Sequence, residues 1–101
     1  KRSMIGLEME FMLLDNKGKV VNRADEIISE VKKKEPTTNI VKECGKNMVE
    51  LGCYPSVKIF NTALDILKHA ETLYDVTTKK RCNYIVLELT QVNLILKCVT
   101  I

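Results

Sequence analysis

Hydrophobic and polar residues follow two different periods along this chain. Apolar residues at every second position indicate strands, and apolar residues at intervals of three and four indicate helices. The strand pattern covers residues 4–14, 19–21, 40–44, 48–53 and 84–101, the last as one long strand or as two broken near residues 91–93. The helical pattern covers residues 23–34 and 57–75. This order predicts an α+β fold, with helices on one side of a mainly antiparallel sheet.

The apolar stripes of the two predicted helices indicate which sides face the sheet. In the shorter helix, Ile27 and Val31 lie one turn apart and are expected to pack inwards. In the longer helix, we expect Phe60, Leu64 and Leu67 to do the same. The polar cluster at residues 15–18 predicts a turn, so that the first two strands form a hairpin.

Three glutamates lie inside apolar strand segments, where an ionised side chain is costly unless it is paired. Glu8 and Glu10 project to the same strand face because side chains alternate, while Glu50 lies in a later strand. Anions in such a setting repel one another, and a bound divalent cation or cationic ligand usually neutralises this repulsion. We therefore expect these carboxylates to converge on one face of the sheet.

Simpler interpretations of the same acids stay open at this stage. Glu8 and Glu10 suit the solvated face of an antiparallel sheet equally well. Glu50 suits a surface position paired with Lys42 or Lys46 across a hairpin, an interaction that contributes little stability.

The sequence favours structural roles for the other reactive side chains. Glu88 alternates with Val86 and Thr90, and a cross-strand pair with Lys97 explains it more simply than a ligand role. The lone His69 is expected near the exposed flank of the long helix, without a catalytic partner. The cysteines are expected to be small buried hydrophobes rather than nucleophiles.

Composition restricts the function classes. A chain of 101 residues is the size of one domain, and its net charge of +3 is too small and dispersed to indicate nucleic-acid binding. Four cysteines without a Cys-x-x-Cys pair do not have zinc-site spacing. The absence of a signal peptide and of a long apolar run favours the cytoplasm and argues against membrane insertion.

Two sequence blocks resemble a known family. The first is Gly-Leu-Glu-Met-Glu-Phe-Met-Leu-Leu-Asp at residues 6–15, followed by a glycine turn. The second contains Glu43 and, seven residues later, Glu50, followed by Pro55 and an amphipathic helix. Together they resemble the amino-terminal segment of the glutamate–cysteine ligase superfamily. The likeness is greatest to its carboxylate–amine ligase branch, which has the glutamine synthetase type of catalytic fold.

This resemblance, which covers residues 4–75, implies a function. In the family, acidic residues at these positions hold the magnesium ions that bridge the phosphates of ATP, which here implies Glu8, Glu10, Glu43 and Glu50. An amino-acid substrate would then form an acyl phosphate. Family enzymes are several times longer, so we expect the amino-terminal fragment of a ligase domain, inactive alone, that acts as a homo-oligomer or with the remainder of the ligase. The alternative is a non-catalytic α+β module that completes its sheet with a second chain.

Overall fold

The computed structural model describes residues 2–43, 45–53 and 55–96, with side chains from residue 4 to residue 91 within those ranges. The elements are strand β1 (Arg2–Leu14), helix α1 (Ala24–Lys34), strands β2 (Asn39–Lys42) and β3 (Met48–Gly52), helix α2 (Ile59–Lys79) and strand β4 (Asn83–Leu96). The predicted α+β class is confirmed.

The four strands form one antiparallel sheet in the order β2-β3-β1-β4. Strand β1 pairs with β4 along its whole length, from Arg2 to Leu14. Only its later part, residues 8–12, also pairs with β3. The centre of the four-stranded region therefore lies at residues 8–12 of β1, which include Glu8 and Glu10.

Both helices pack on the same face of this sheet. Helix α1 lies over β2 and β3, and α2 lies mainly over β1. Ile27 and Val31 of α1 are fully buried, as their spacing predicted. The core cluster joins both helices to the sheet through Phe11, Leu13, Ala24, Ile27, Val31, Ile40, Val49, Leu51, Leu73, Val76 and Cys82.

The predicted inner face of the long helix is wrong. Phe60, Leu64 and Leu67 have 70%, 51% and 62% of their surface exposed, whereas Ile66 and Leu73 are buried. The helix also begins two residues later than predicted and extends to Lys79. Apolar residues occur on both sides of α2, so the apolar pattern alone did not identify the side that contacts the sheet.

Threonines complete the buried side of α2 and account for the error. Thr62 donates a hydrogen bond from Oγ1 to the carbonyl oxygen of Ile5 at 3.0 Å. Thr77 donates from Oγ1 to the carbonyl oxygen of Leu73, one turn earlier, at 2.9 Å. Because each hydroxyl has a backbone acceptor, each threonine side chain is buried at little cost.

Two of the predicted strands differ from the structure. Residues 19–21 form a single bridge, between Val20 and Leu14, rather than a strand. The turn before them is held by Asp15, whose Oδ1 accepts hydrogen bonds from two backbone N–H groups. The tail is one continuous strand through Leu96, without a break near residues 91–93, and its predicted continuation to residue 101 lies outside the described residues.

Candidate metal centre

The sheet face opposite the helices carries the acidic residues. Along β1, Phe11 belongs to the buried core with Met9 packed against it, so the alternating positions Glu8 and Glu10 point to the other face. Neither helix covers that face, and both glutamates are half-buried by their neighbours in the sheet. We call this surface the open face.

Three glutamates stand in register across three adjacent strands. Glu10 of β1 lies directly opposite Glu50 of β3 on one side and opposite Glu88 of β4 on the other. Directly opposed residues share a face and have Cβ atoms about 5 Å apart. The row places like charges side by side, an arrangement that destabilises a sheet unless the charges are neutralised.

Glu43 approaches this row from the edge of the sheet. It follows β2, and its backbone N–H donates to the carbonyl oxygen of Met48 at 3.1 Å, which places it diagonally across from Glu50. Carboxylate oxygens of Glu10, Glu43 and Glu50 lie within 4.8 Å of one another. Oxygens bound to one octahedral Mg²⁺ lie about 3–4 Å apart. Small side-chain rotations would therefore bring these oxygens to one cation.

The protonation of the cluster reflects this crowding. Hydrogen bonds with Glu43 and Glu8, in that order, together with partial burial, raise the pKa of Glu50 to about 8. Partial burial, followed by the charges of Glu43, Glu88 and Glu8, raises the pKa of Glu10. The cluster consequently retains a proton at neutral pH, and this shared proton relieves part of the repulsion.

Among the side chains that the structure describes, basic groups do not neutralise the site. Lys42, one of the two proposed partners of Glu50, instead approaches Asp25 of α1 at 3.3 Å. Within the part of the chain that the structure describes, no lysine or arginine forms an ion pair with Glu8, Glu10, Glu43 or Glu50. The interpretation of Glu50 as one half of a surface ion pair is therefore wrong for the described residues.

Glu88 reaches the open face because of a β-bulge. Between Glu10 and Phe11 the pairing with β4 shifts by one residue, so that Glu88 opposes Glu10 while Val86 opposes Phe11. Leu87 is the extra residue of the bulge, so Val86 points to the helix side of the sheet and Glu88 points to the open face. Simple alternation would place the two residues on one face, and the bulge separates them. The pairing of Glu88 with Lys97 lies outside the described residues.

Asn39 is a neighbour of the cluster that sequence reasoning missed. It pairs with Gly52, which in turn pairs with Glu8, so all three share the open face. A Cβ atom at Gly52 would lie 2.8 Å from Nδ2 of Asn39, so the amide group lies over the glycine. The clue in the sequence was the glycine itself, because a glycine inside a strand often marks the close approach of another group.

The other candidate residues that the structure describes do not belong to the cluster of Glu10, Glu43 and Glu50. His69 is 3% exposed, which corrects its expected place near the helix surface, and its Nε2 lies 3.4 Å from Oδ1 of Asp65. Cys53 and Cys82 are buried, as predicted, and burial raises the pKa of both thiols. The other two cysteines lie outside the described residues.

Comparison with protein-family models and with curated proteins gives no match. The resemblance to the glutamate–cysteine ligase superfamily therefore stays a prediction. In the described residues, neither helix is long and apolar enough to cross a membrane.

Proposed function

We propose that the open face binds Mg²⁺ through Glu8, Glu10, Glu43 and Glu50. The observation that carries this proposal is the convergence of three carboxylates, from β1, β3 and the residue after β2, to within 4.8 Å. These residues are separated by up to 40 positions in the sequence, and the sheet pairing brings them together. A bound cation would replace the shared proton and neutralise the row of like charges.

The chemistry of the donors favours magnesium. The cluster offers carboxylate oxygens, which hard cations prefer, and no thiol or imidazole is placed among the acids in the described chain. The site is also shallow and open on one side. Mg²⁺ usually keeps several water molecules or phosphate oxygens in its coordination shell, and an open face leaves room for them.

We further propose that this face is the metal–nucleotide part of an ATP-dependent carboxylate–amine ligase. The support is the sequence resemblance at residues 6–15 and 43–55. The metal would supply charge neutralisation for the ATP phosphates, and the role of this chain is to hold it with the four glutamates. The isolated chain is expected not to turn over ATP, because the two arginine side chains that the structure describes lie outside the cluster. Arg23 is bound to Glu26 at 2.8 Å, and Arg81 lies between α2 and β4.

The cysteine chemistry supports a cytoplasmic location for this activity. Cys53 and Cys82 are free thiols. Reduced, buried cysteines are typical of proteins that work in a reducing compartment.

Calorimetric titration with Mg²⁺ tests the metal site. The wild-type chain should give a saturable signal, and the double variant Glu10→Gln/Glu50→Gln should give none. The matched control is Asp25→Asn/Glu71→Gln, which makes the same two carboxyl-to-amide changes at exposed positions on the two helices and should leave binding intact. Equal binding by both double variants would refute a site on the open face.

A second titration separates the ligase proposal from the metal proposal. ATP is added with and without Mg²⁺, and nucleotide binding is measured by the same method. Binding of ATP only when Mg²⁺ is present supports the ligase role. Binding of Mg²⁺ with no effect on ATP would retain the metal site and contradict the nucleotide role.

A further inference from the structure

A second surface, on the helix side of the sheet, is apolar and exposed. It combines the outer side of α2 with the helix-facing side of β4. We call it the α2–β4 surface, and it consists of Phe60, Leu64, Leu67, Tyr74, Val86 and Leu89, each of which has about half or more of its surface exposed.

Its strand half is exposed because neither of the two described helices is centred over β4. Val86 opposes the buried Phe11, and Leu89 opposes Met9, so both point to the side of the sheet where the core lies. Helix α2 lies mainly over β1. Val86 and Leu89 therefore have the orientation of core residues without the cover that core residues normally have.

The outer edge of β4 is also unprotected. In the described chain β4 is the last strand of the sheet, so its outer backbone N–H and C=O groups have no strand partner. Edge strands are normally guarded by lysine, proline or a short length. This edge runs for 14 residues, contains no lysine or proline, and has Glu88 as its one charged side chain.

We propose that a second copy of the chain docks on the α2–β4 surface by pairing its β4 antiparallel to the first. A two-fold axis perpendicular to the sheet relates two antiparallel copies of the same edge strand, which gives a self-complementary contact. The same axis keeps the helices of both copies on one side of a continuous eight-stranded sheet. The two α2–β4 surfaces then face each other across the axis, and each covers the other.

The exposed area is of the size that such a contact needs. Phe60 and Tyr74 together expose on the order of 200 Å², since a whole aromatic side chain buries about 150–250 Å². The four aliphatic side chains add on the order of 200 Å². If about 60% of the interface is apolar, the sum of these two apolar areas corresponds to a total buried surface of roughly 700 Å² per copy. This area is close to the roughly 800 Å² per partner of a standard stable interface. This proposal does not depend on the metal site.

Molecular mass measured by light scattering after size exclusion, over a range of protein concentrations, tests the dimer. The wild-type chain should approach twice 11.5 kDa as concentration rises, with or without Mg²⁺. Leu67→Lys and Leu89→Lys should each weaken association at least tenfold. The control Val41→Lys places the same charge at an exposed valine on β2, the opposite edge of the sheet, and should not affect it.

A second measurement guards against variants that fail to fold. Amide hydrogen exchange of the wild-type chain should show protection of β4 that increases with protein concentration, while β2 does not change. A monomer at every concentration overturns the proposal. So does a dimer that Val41→Lys weakens and Leu89→Lys does not, because the contact would then lie at the β2 edge.

Discussion

Glu10 lies directly opposite Glu50 where β1 pairs with β3, with both side chains on the face that neither described helix covers. Cross-strand neighbours in a sheet usually attract, and two carboxylates in this relationship repel. The fold tolerates the pair because hydrogen bonds with Glu43 and Glu8 keep a proton on the cluster. In the proposed function, a cation would displace this proton.

Removal of one charge from this row should stabilise the protein without metal. We expect Glu10→Gln to raise the free energy of unfolding at pH 9, where the cluster is most highly charged. Urea denaturation followed by circular dichroism measures the change. Glu71→Gln, on the exposed side of α2, should change stability by less than about 0.5 kcal/mol. A destabilised Glu10→Gln variant would show that the row is not under repulsion.

The pH dependence of stability should carry the signature of Glu50. Its pKa is 4.5 in ordinary surroundings and about 8 in the fold, so between these values the folded state binds more protons than the unfolded state. The contribution of Glu50 to the free energy of unfolding is fully present below pH 4.5 and is lost as the pH rises to about 8. Glu50→Gln should be more stable than wild type at pH 9, by on the order of 1–2 kcal/mol because solvent screens part of the effect. The difference should vanish near pH 4; a difference that is constant with pH would contradict this assignment.

Binding of Mg²⁺ should release a proton. At pH 7 the cluster retains a proton that a cation must displace, so about one proton should leave for each metal bound. Calorimetry in two buffers of different ionisation enthalpy gives this number directly. At pH 9 the release should fall towards zero, because the pKa of Glu50 is then exceeded. Release that does not vary between pH 7 and pH 9 would place the metal elsewhere.

The two sides of α2 should respond differently to the same truncation. Leu73→Ala removes a fully buried side chain and should cost about 2–5 kcal/mol in the free energy of unfolding. Leu64→Ala, on the exposed side, should cost less than about 1 kcal/mol. Both are measured by urea denaturation at low protein concentration, so that association does not contribute. Similar costs would show that the apolar pattern of α2 had identified the inner face correctly.

The contrast between the helices shows where sequence reasoning succeeds. In α1 the apolar stripe that includes Ile27 and Val31 identifies the buried side, and the structure confirms it. In α2 apolar residues surround the helix, and the buried side is completed by threonines that bond to backbone carbonyls. A threonine counts as polar in a pattern, so the pattern could not show that Thr62 is more deeply buried than Phe60.

The candidate site also contains some residues whose position the sequence predicts and others whose position it does not. Alternation within β1 places Glu8 and Glu10 on one face, a local property that the sequence contains. The position of Glu88 depends on a bulge in β4, a register shift that no simple alternation predicts. The diagonal approach of Glu43 depends on the pairing of residues beyond the end of β2. Local spacing therefore predicted the first acids, and only the sheet register shows which others join them.

The most direct test of the metal centre is anomalous diffraction from crystals soaked in Mn²⁺, which replaces Mg²⁺ at oxygen sites and can be located by its own signal. We predict one strong peak on the open face, about 2.0–2.3 Å from carboxylate oxygens of Glu10, Glu43 and Glu50. The peak should be absent from crystals of Glu10→Gln/Glu50→Gln. The proposed function would be contradicted if the wild-type crystals showed no peak on the open face at a Mn²⁺ concentration that labels other surface carboxylates.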